Sequence, residues 1–456
     1  MAVLVLLSTA VELQLIDLAQ GNFFSDPRHD LPRIYIRSDG TVDPATAPVE
    51  RTGNHYRLTE DIALCTIEIQ CDNIVLDGSG HMISGNASWI APGGLYDPGN
   101  NGVLLNGRSN VTVMRIVPAQ CYAGIRVAKS SDITLVNNTF INGTTIGVAI
   151  RDSSDVLVEA NSFTSIYGPA VSCNGTSNTI TRNCLTGGSW GIEVEGSSNV
   201  VSENTIEVVL PIILDRADSN LIAKNNISGP APSPQMPDRN FTGNEGIGLF
   251  VSSNNVIFGN HITGFVNQAI RTVFTCSNNT FYGNYIANCG FAAALQQGAV
   301  NNMFYGNTFA ADSCKVQIDN GVDSTFWDNG TIGNCWGDYN GTDSNGNGIG
   351  DTPYTVKGYK WDTDTDGFVR SISETDNYPL VLPFDVENNG VQPPPATASP
   401  TAPATPPSTS AATQEKEDSS APFNVNFITI VVVVVAAAAI ATAIVMLRKL
   451  LLSSHG

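Results

Sequence analysis

The 456-residue chain is long enough for two or three average domains or for one large β domain. Only 14% of its residues are charged, and 42 acids stand against 22 lysines and arginines, a formal charge of −20. That balance excludes nucleic acid as a partner, since nothing would neutralise phosphates, and suits an exposed surface able to hold divalent cations. The nine cysteines form no CxxC pair, so zinc and redox motifs lack support, and most read as small buried apolar residues.

In chain order, residues 1–20 begin "MAVLVLLSTA", a signal-like segment with an apolar run and small residues near Ser8 and Ala10. Its basic start is missing, for the first arginine is Arg28. Residues 21–70 form an N-terminal cap region.

From 71 to 330 the chain repeats itself. "SNVTV" at Asn110, "SDITL" at Asp132, "SDVLV" at Asp155, "SNTIT" at Asn178, "SNVVS" at Asn199 and "SNLIA" at Asn220 open successive units, and copies follow at Asn255, Asn279 and Asn302. The spacings are 22, 23, 23, 21, 21, 35, 24 and 23, the long one holding the inserted loop "GPAPSPQMPDRNFTG". Each unit adds a second signal such as "NNTF" or "GNYI" and a third apolar run such as "GIRVA" or "GIEVE". Three short strands per unit, bounded by Asn, Asp or Gly, predict the coils of a solenoid. Asn and Asp tolerate the left-handed bends, and when stacked they can form ladders along the axis. The predicted fold is therefore all-β, a right-handed parallel β-helix of about ten coils and three strands per coil. A period near 22 is too short for a propeller blade, and a sandwich would lack this regularity.

Residues 331–388 read as a C-terminal cap with acidic loops. An uncapped last coil would present an open β edge, and Trp336, Tyr339, Tyr354 and Tyr378 are the candidate lids. Two loops carry alternate oxygen side chains before a glycine turn: Asp343, Asn345, Asn347 and Asp351 in one, Asp362, Asp364 and Asp366 in the other. A six-to-eight-coordinate Ca2+ requires such a pattern, though neither loop has the glutamate of an EF-hand at its twelfth place. Residues 389–426 form a Pro/Thr/Ser-rich stalk. Residues 427–447 are about twenty apolar residues, enough for one transmembrane helix, and Arg448 and Lys449 open the tail 448–456. The positive-inside rule places that tail in the cytoplasm and the head outside the cell, single-pass.

The stretches "PRIYIRSDGTVDPATAPVERTGNHYRLTEDI" (32–62), "CDNIVLDGSGHMISG" (71–85) and the closing "NCWGDYNGTDSNGNGIGDTPY" (334–354) with "TDNYPLVLPF" (375–384) resemble the archaeal cell-surface β-helix proteins related to NosD. The resemblance covers roughly residues 20–385. It implies an extracellular β-helix of the broad carbohydrate-binding and sugar-hydrolase group without fixing an activity. The family's namesake is an accessory protein for copper insertion into nitrous oxide reductase. Here His29, His55, His81, His261 and His455 are scattered, with no clustered His/Met/Cys set suited to copper.

The third apolar run offers the catalytic candidates. Glu193 and Glu195 are two apart in "GIEVEG" and so face the same, outward, way, and Asp215 takes a similar place one coil later. Paired carboxylates can protonate a leaving oxygen and activate water. Arg126 and Arg151 on earlier coils could bind acidic sugars or pair with the glutamates. Tyr122, Tyr167, Trp190 and Phe265 recur before this run: exposed, they make a stacking platform for sugar rings; buried, a core stack at a corner. The leading expectation is a membrane-anchored, non-catalytic binder of polysaccharide or cell-envelope glycans. The alternative is an anchored polysaccharide hydrolase or lyase, and copper delivery comes third.

Overall fold

A computed structural model describes residues 31–86, 100–141, 143–230, 244–296, 298–313, 315–318, 325–362, 367–369 and 374–384. The signal-like segment, the stalk, the segment 427–447 and the tail lie outside these residues. Among the described residues no helix is long and apolar enough to cross a membrane.

The chain winds as a parallel solenoid of about eleven turns built from three ladders of short strands. The first ladder runs from Arg33–Ile36 through Ala123–Ala128, Pro169–Thr176, Trp190–Ser197 and Leu210–Asp218 to Val316–Ile318 and Gly358–Asp362. The second runs from His55–Leu58 to Met303–Tyr305. The third includes Thr139–Phe140, Ser162–Thr164 and Cys184–Thr186 and ends at Cys335–Trp336. Parallel pairing thus extends beyond the Asn-marked repeats at both ends, which is why the turns outnumber the ten coils expected.

Alternation puts a β-branched column inside the first ladder. Ile125, Val148, Val171, Ile192, Ile212, Ile247 and Ile270 stack coil upon coil, all buried, because strands with only apolar neighbours inward favour such side chains. Among the described residues six cysteines, including Cys121, Cys173 and Cys276, are buried free thiols.

The bends are held by two columns of buried asparagine. One comprises Asn138, Asn161, Asn183, Asn204, Asn225, Asn260, Asn284, Asn307 and Asn334. The other runs Asn178, Asn199, Asn220, Asn255, Asn279 and Asn302. Each Nδ2–H donates to the Oδ1 of the next asparagine at 2.9–3.1 Å and also to a backbone carbonyl, while the next Oδ1 accepts the backbone N–H as well, for example Asn183 to Asn204. Buried bend amides are thereby satisfied without water.

The repeat motif slips by one residue between its third and fourth copies. Leu157 lies level with Thr179, so Asp155 aligns with Ser177 and not with Asn178. Asn110, Asp132, Asp155, Ser177 and Ser198 all hold φ near +53° to +59° at the bend. In the first three units the Asn or Asp is the left-handed residue itself; from Asn178 onward the asparagine stands one place later, in the buried column.

At the C-terminal end the aromatic core closes the solenoid. Phe281, Phe304 and Trp327 stack at 4.3 and 4.9 Å, Trp336 stacks on Tyr354 at 4.6 Å, and Phe309 meets Trp336 at 4.6 Å with the rings tilted. Tyr339 meets Tyr354 edge-on. Tyr378, expected among the lids, is instead 37% exposed.

Candidate functional site

The outer face of the first ladder gathers the sequence's carboxylates. Register sets Ser172 beside Glu193 and Asn174 beside Glu195, while Arg126 lies three coils before Glu193 and Arg151 two coils before Glu195 on the same two rows. The pairing shifts between Val194 and Gly196, and that irregularity admits Asp215 and Arg216 opposite Glu195. Ser172 Oγ–H donates to Glu193 Oε2 at 3.3 Å, and Asn174 Nδ2–H donates to Glu195 Oε2. Sequence reasoning missed both donors, although their spacing of 21 from the glutamates was there to find.

Outward orientation had suggested open carboxylates. Glu193 and Asp215 are each only 3% exposed, since neighbouring coils crowd 4.8 Å strands closely enough to close over them, whereas Glu195 stays half-buried. Burial, then repulsion from Glu195 and Asp215, pushes the Glu193 carboxyl up to about 7 against the pull of Ser172 and Arg151. Burial also raises Asp215; Arg216, 2.7 Å from Oδ2, opposes this, and Glu195 adds to it. A buried acid beside a second carboxylate can hold and release a proton near neutrality. Beyond these coils, Glu245 pairs with Arg271 at 3.1 Å, and Arg271 also reaches Gln296 and the face of Phe250. Gly248, on one row between Ile213 and Arg271, leaves room for the Glu245 carboxylate: a Cβ there would stand 2.8 Å from its Oε1.

The four aromatics do not form one platform. Phe265 is fully inside the core, and Tyr122 is buried against Ala123, Ile146 and Ala149. Their apolar surroundings supply the burial that an isolated sequence position conceals. Tyr167 is 62% exposed, and Trp190 is half-buried between Pro169 and Leu210 on the outer face, three residues before Glu193.

The first acidic loop is organised around its own backbone. Asp343 accepts the N–H groups of Gly346, Asn347 and Gly348, Asn345 and Asn347 accept those of Asn347 and Ile349, and Asp351 takes Ser344 and Thr342. A cation at this loop would have to share oxygens already engaged. Asp364 and Asp366 lie outside the described residues, as does the side chain of Asp362. Among the described residues no three His, Cys, Asp or Glu side chains group closely enough to hold a metal ion. The described histidines stay apart: His81 sits 3.3 Å from Asp61, and His261 stacks on Tyr285.

Residues 72–227 match the family described as "Right handed beta helix region", and residues 174–341 match "Periplasmic copper-binding protein (NosD)". Over residues 72–227 the solenoid is therefore of the right-handed β-helix kind. The span matched to NosD contains a single histidine, His261. No curated protein sequence matches the chain. Among solved structures, the β-helix is similar to the DFA-IIIase of Arthrobacter chlorophenolicus A6 in complex with GF2, at 15% identity and TM-score 0.41, over 53% of this chain and 66% of that one. It is similar to a mutant tailspike protein of E. coli bacteriophage HK620 in complex with a hexasaccharide, at 13% and 0.39, over 58% and 60%. A double mutant of the periplasmic alginate epimerase AlgG matches at 14% and 0.39, over 64% and 83%. The chain spans less than two thirds of the first two, and at this identity the likeness carries neither site nor activity across.

Proposed function

We propose that the protein is a membrane-anchored, extracellular β-helix that binds polysaccharide or cell-envelope glycans on the outer face of its first ladder. The observation that carries this reading is the row of Trp190, Glu193, Glu195 and Asp215 with Ser172 and Asn174 beside it. A half-exposed indole offers a flat apolar face to a sugar ring, and carboxylate, amide and hydroxyl groups next to it accept and donate to ring hydroxyls. Anchoring rests on the apolar run 427–447 with its basic flank, and export on the signal-like start.

Binding is preferred to cleavage because a general acid must come within about 2.6–3.2 Å of the oxygen it protonates. Glu193, closed off from solvent, does not present itself to a chain lying on this face. A hydrolytic reading is favoured by one arrangement, the buried Glu193 beside Glu195 and Asp215, where burial pushes its carboxyl up to about 7. In that reading Glu193 gives its proton to the glycosidic oxygen as the bond to the anomeric carbon breaks. Glu195 or Asp215 takes a proton from the water that attacks that carbon. The scattered histidines leave the copper reading without a ligand set.

A glycan array probed with the full-length protein, followed by a reducing-end assay on every hit, tests the proposal. Retained glycans without new chain ends are the expected result. New ends that vanish in Glu193→Gln would make the protein a hydrolase, and the absence of any retained glycan would overturn both readings.

A further inference from the structure

The three outer faces of the solenoid differ in chemistry. The first ladder carries Arg126, Arg151, Glu193, Glu195, Asp215 and Arg271. The third presents Ser162, Thr205, Asn226, His261 and Thr263, whose hydroxyl, amide and imidazole groups are costly to strip of water. The second is largely apolar. One of its outward columns runs Thr179, Val200, Leu221, Val256, Thr280 and Met303, each part-exposed, and ends at Phe326, 46% exposed. From Thr112 to Tyr305 the outward residues of this ladder include a single charge, Glu159, and Arg182 pairs with it.

Polar bends rim this strip on both sides. Asn110, Asp132 and Asp155 stand exposed along one edge, and Arg115, Asn137, Arg182 and Lys224 along the other. An apolar strip inside a polar rim is the anatomy of a protein interface. Nine coils at about 4.8 Å by five residues, from Asp155 to Ala160, at about 3.3 Å give a strip of roughly 40 by 16 Å. Two such strips closed on each other remove roughly 1,200 Å² from water, the lower end of the range for specific interfaces.

We propose that the outer face of the second ladder docks a second copy of this chain, the two β-helices lying side by side with their axes parallel. Charge selects the occupant. Each copy carries a formal −20, so two copies repel wherever acidic sides meet, and the uncharged strip is the side on which they can close.

The rims select the direction. A two-fold axis along the solenoid sets each rim of one copy against the opposite rim of the other, coil by coil. Asp132 then lies one coil from Arg115 of the second copy, and Asp155 one coil from its Arg182. Each arginine pairs with a carboxylate of its own copy, Asp77 or Glu159, and keeps further N–H donors with which to bridge. With the axes antiparallel, Asp132 and Asp155 would meet the neutral bends at Asn278 and Asn254 instead. Complementary rims fix register between the copies more than they add affinity.

Sedimentation equilibrium of the full-length protein in detergent micelles tests this. A dimer is expected at about 10 μM, a strength that interfaces of this size reach. Val200→Glu with Leu221→Glu, acids placed outward on this ladder as Glu159 already is, should weaken association at least about tenfold. Thr205→Glu with Thr263→Glu, on the third ladder, should leave it unchanged. In a Cys184→Ser background, Asn110→Cys with Asn137→Cys should give a covalent dimer with a short bis-maleimide, because only parallel axes bring these two rims together at one end. A monomeric wild type, a dimer that survives the Val200 and Leu221 changes, or no cross-linked dimer would each overturn the proposal.

Discussion

The Asp376 carboxylate accepts the backbone N–H of Asn334 at 2.7 Å and so ends a column of stacked asparagines that begins at Asn138. The same Oδ2 takes the Trp336 Nε1–H at 2.8 Å, and Oδ1 takes the Tyr378 N–H. One fully buried side chain thus terminates the polar ladder and fixes the aromatic lid.

Asp376→Ala leaves the Asn334 amide and the Trp336 indole N–H buried without acceptors. At about 1–3 kcal/mol for each orphaned group, we expect a loss of roughly 2–6 kcal/mol in thermal or denaturant unfolding. A change below about 1 kcal/mol would show that the lid is held by ring stacking alone.

The raised carboxyls set a direction for pH dependence. Glu193 titrates at about 7 and Asp376 at about 6 when folded, above their ordinary range, with Asp215 shifted the same way. Their folded forms keep protons that the unfolded chain releases. The associated stability is therefore complete below about pH 4 and is lost as pH rises through 6 and 7. At ~1.4 kcal/mol per unit, Glu193 and Asp376 each account for roughly 3 kcal/mol. Denaturant midpoints at pH 4.5 and 8 should fall in that order, and Glu193→Gln should remove about half of the difference. A flat profile from pH 4.5 to 8 would contradict these burials.

Asn204→Asp tests the asparagine columns from the middle. The change replaces an Nδ2–H that donates to Asn225 Oδ1 and to Ile180 O with an oxygen facing both acceptors. Destabilisation by about 3 kcal/mol or more is expected, against under about 0.5 for the exposed Asp152→Asn. Similar costs at the two sites would mean that the columns are geometric and not energetic.

The acidic loop at Asp343 and Asp351 is closed by its own hydrogen bonds, so adding millimolar Ca2+ or EDTA is expected to move Tm by less than about 2 °C. A larger rise with Ca2+ corresponds to tight binding to the folded state and would put the cation in that loop.

The coil grammar was legible because each bend must satisfy its own buried amides, and asparagine does this at a fixed place in successive turns from Asn138 onward. Its phase was less so. "SDVLV" and "SNTIT" look alike, yet in the first the Asp155 backbone turns left-handed and in the second Asn178 enters the buried column, a difference invisible in the letters. The outward side of Glu193 and Glu195 followed from strand alternation, whereas the burial of Glu193 depends on how adjacent coils close over it. Tyr122 and Phe265 read like Tyr167 in sequence; only packing separates them. The role of Asp376 was hidden for a simple reason: it lies 42 residues beyond the asparagine it caps.

The most direct test is a crystal structure of the protein soaked with an oligosaccharide retained on the array. The account predicts sugar rings on the outer face of the first ladder, one stacked on Trp190 and hydroxyls within hydrogen-bond reach of Glu195 and Asn174. Sugar bound on the second or third ladder, with this face empty, would contradict it.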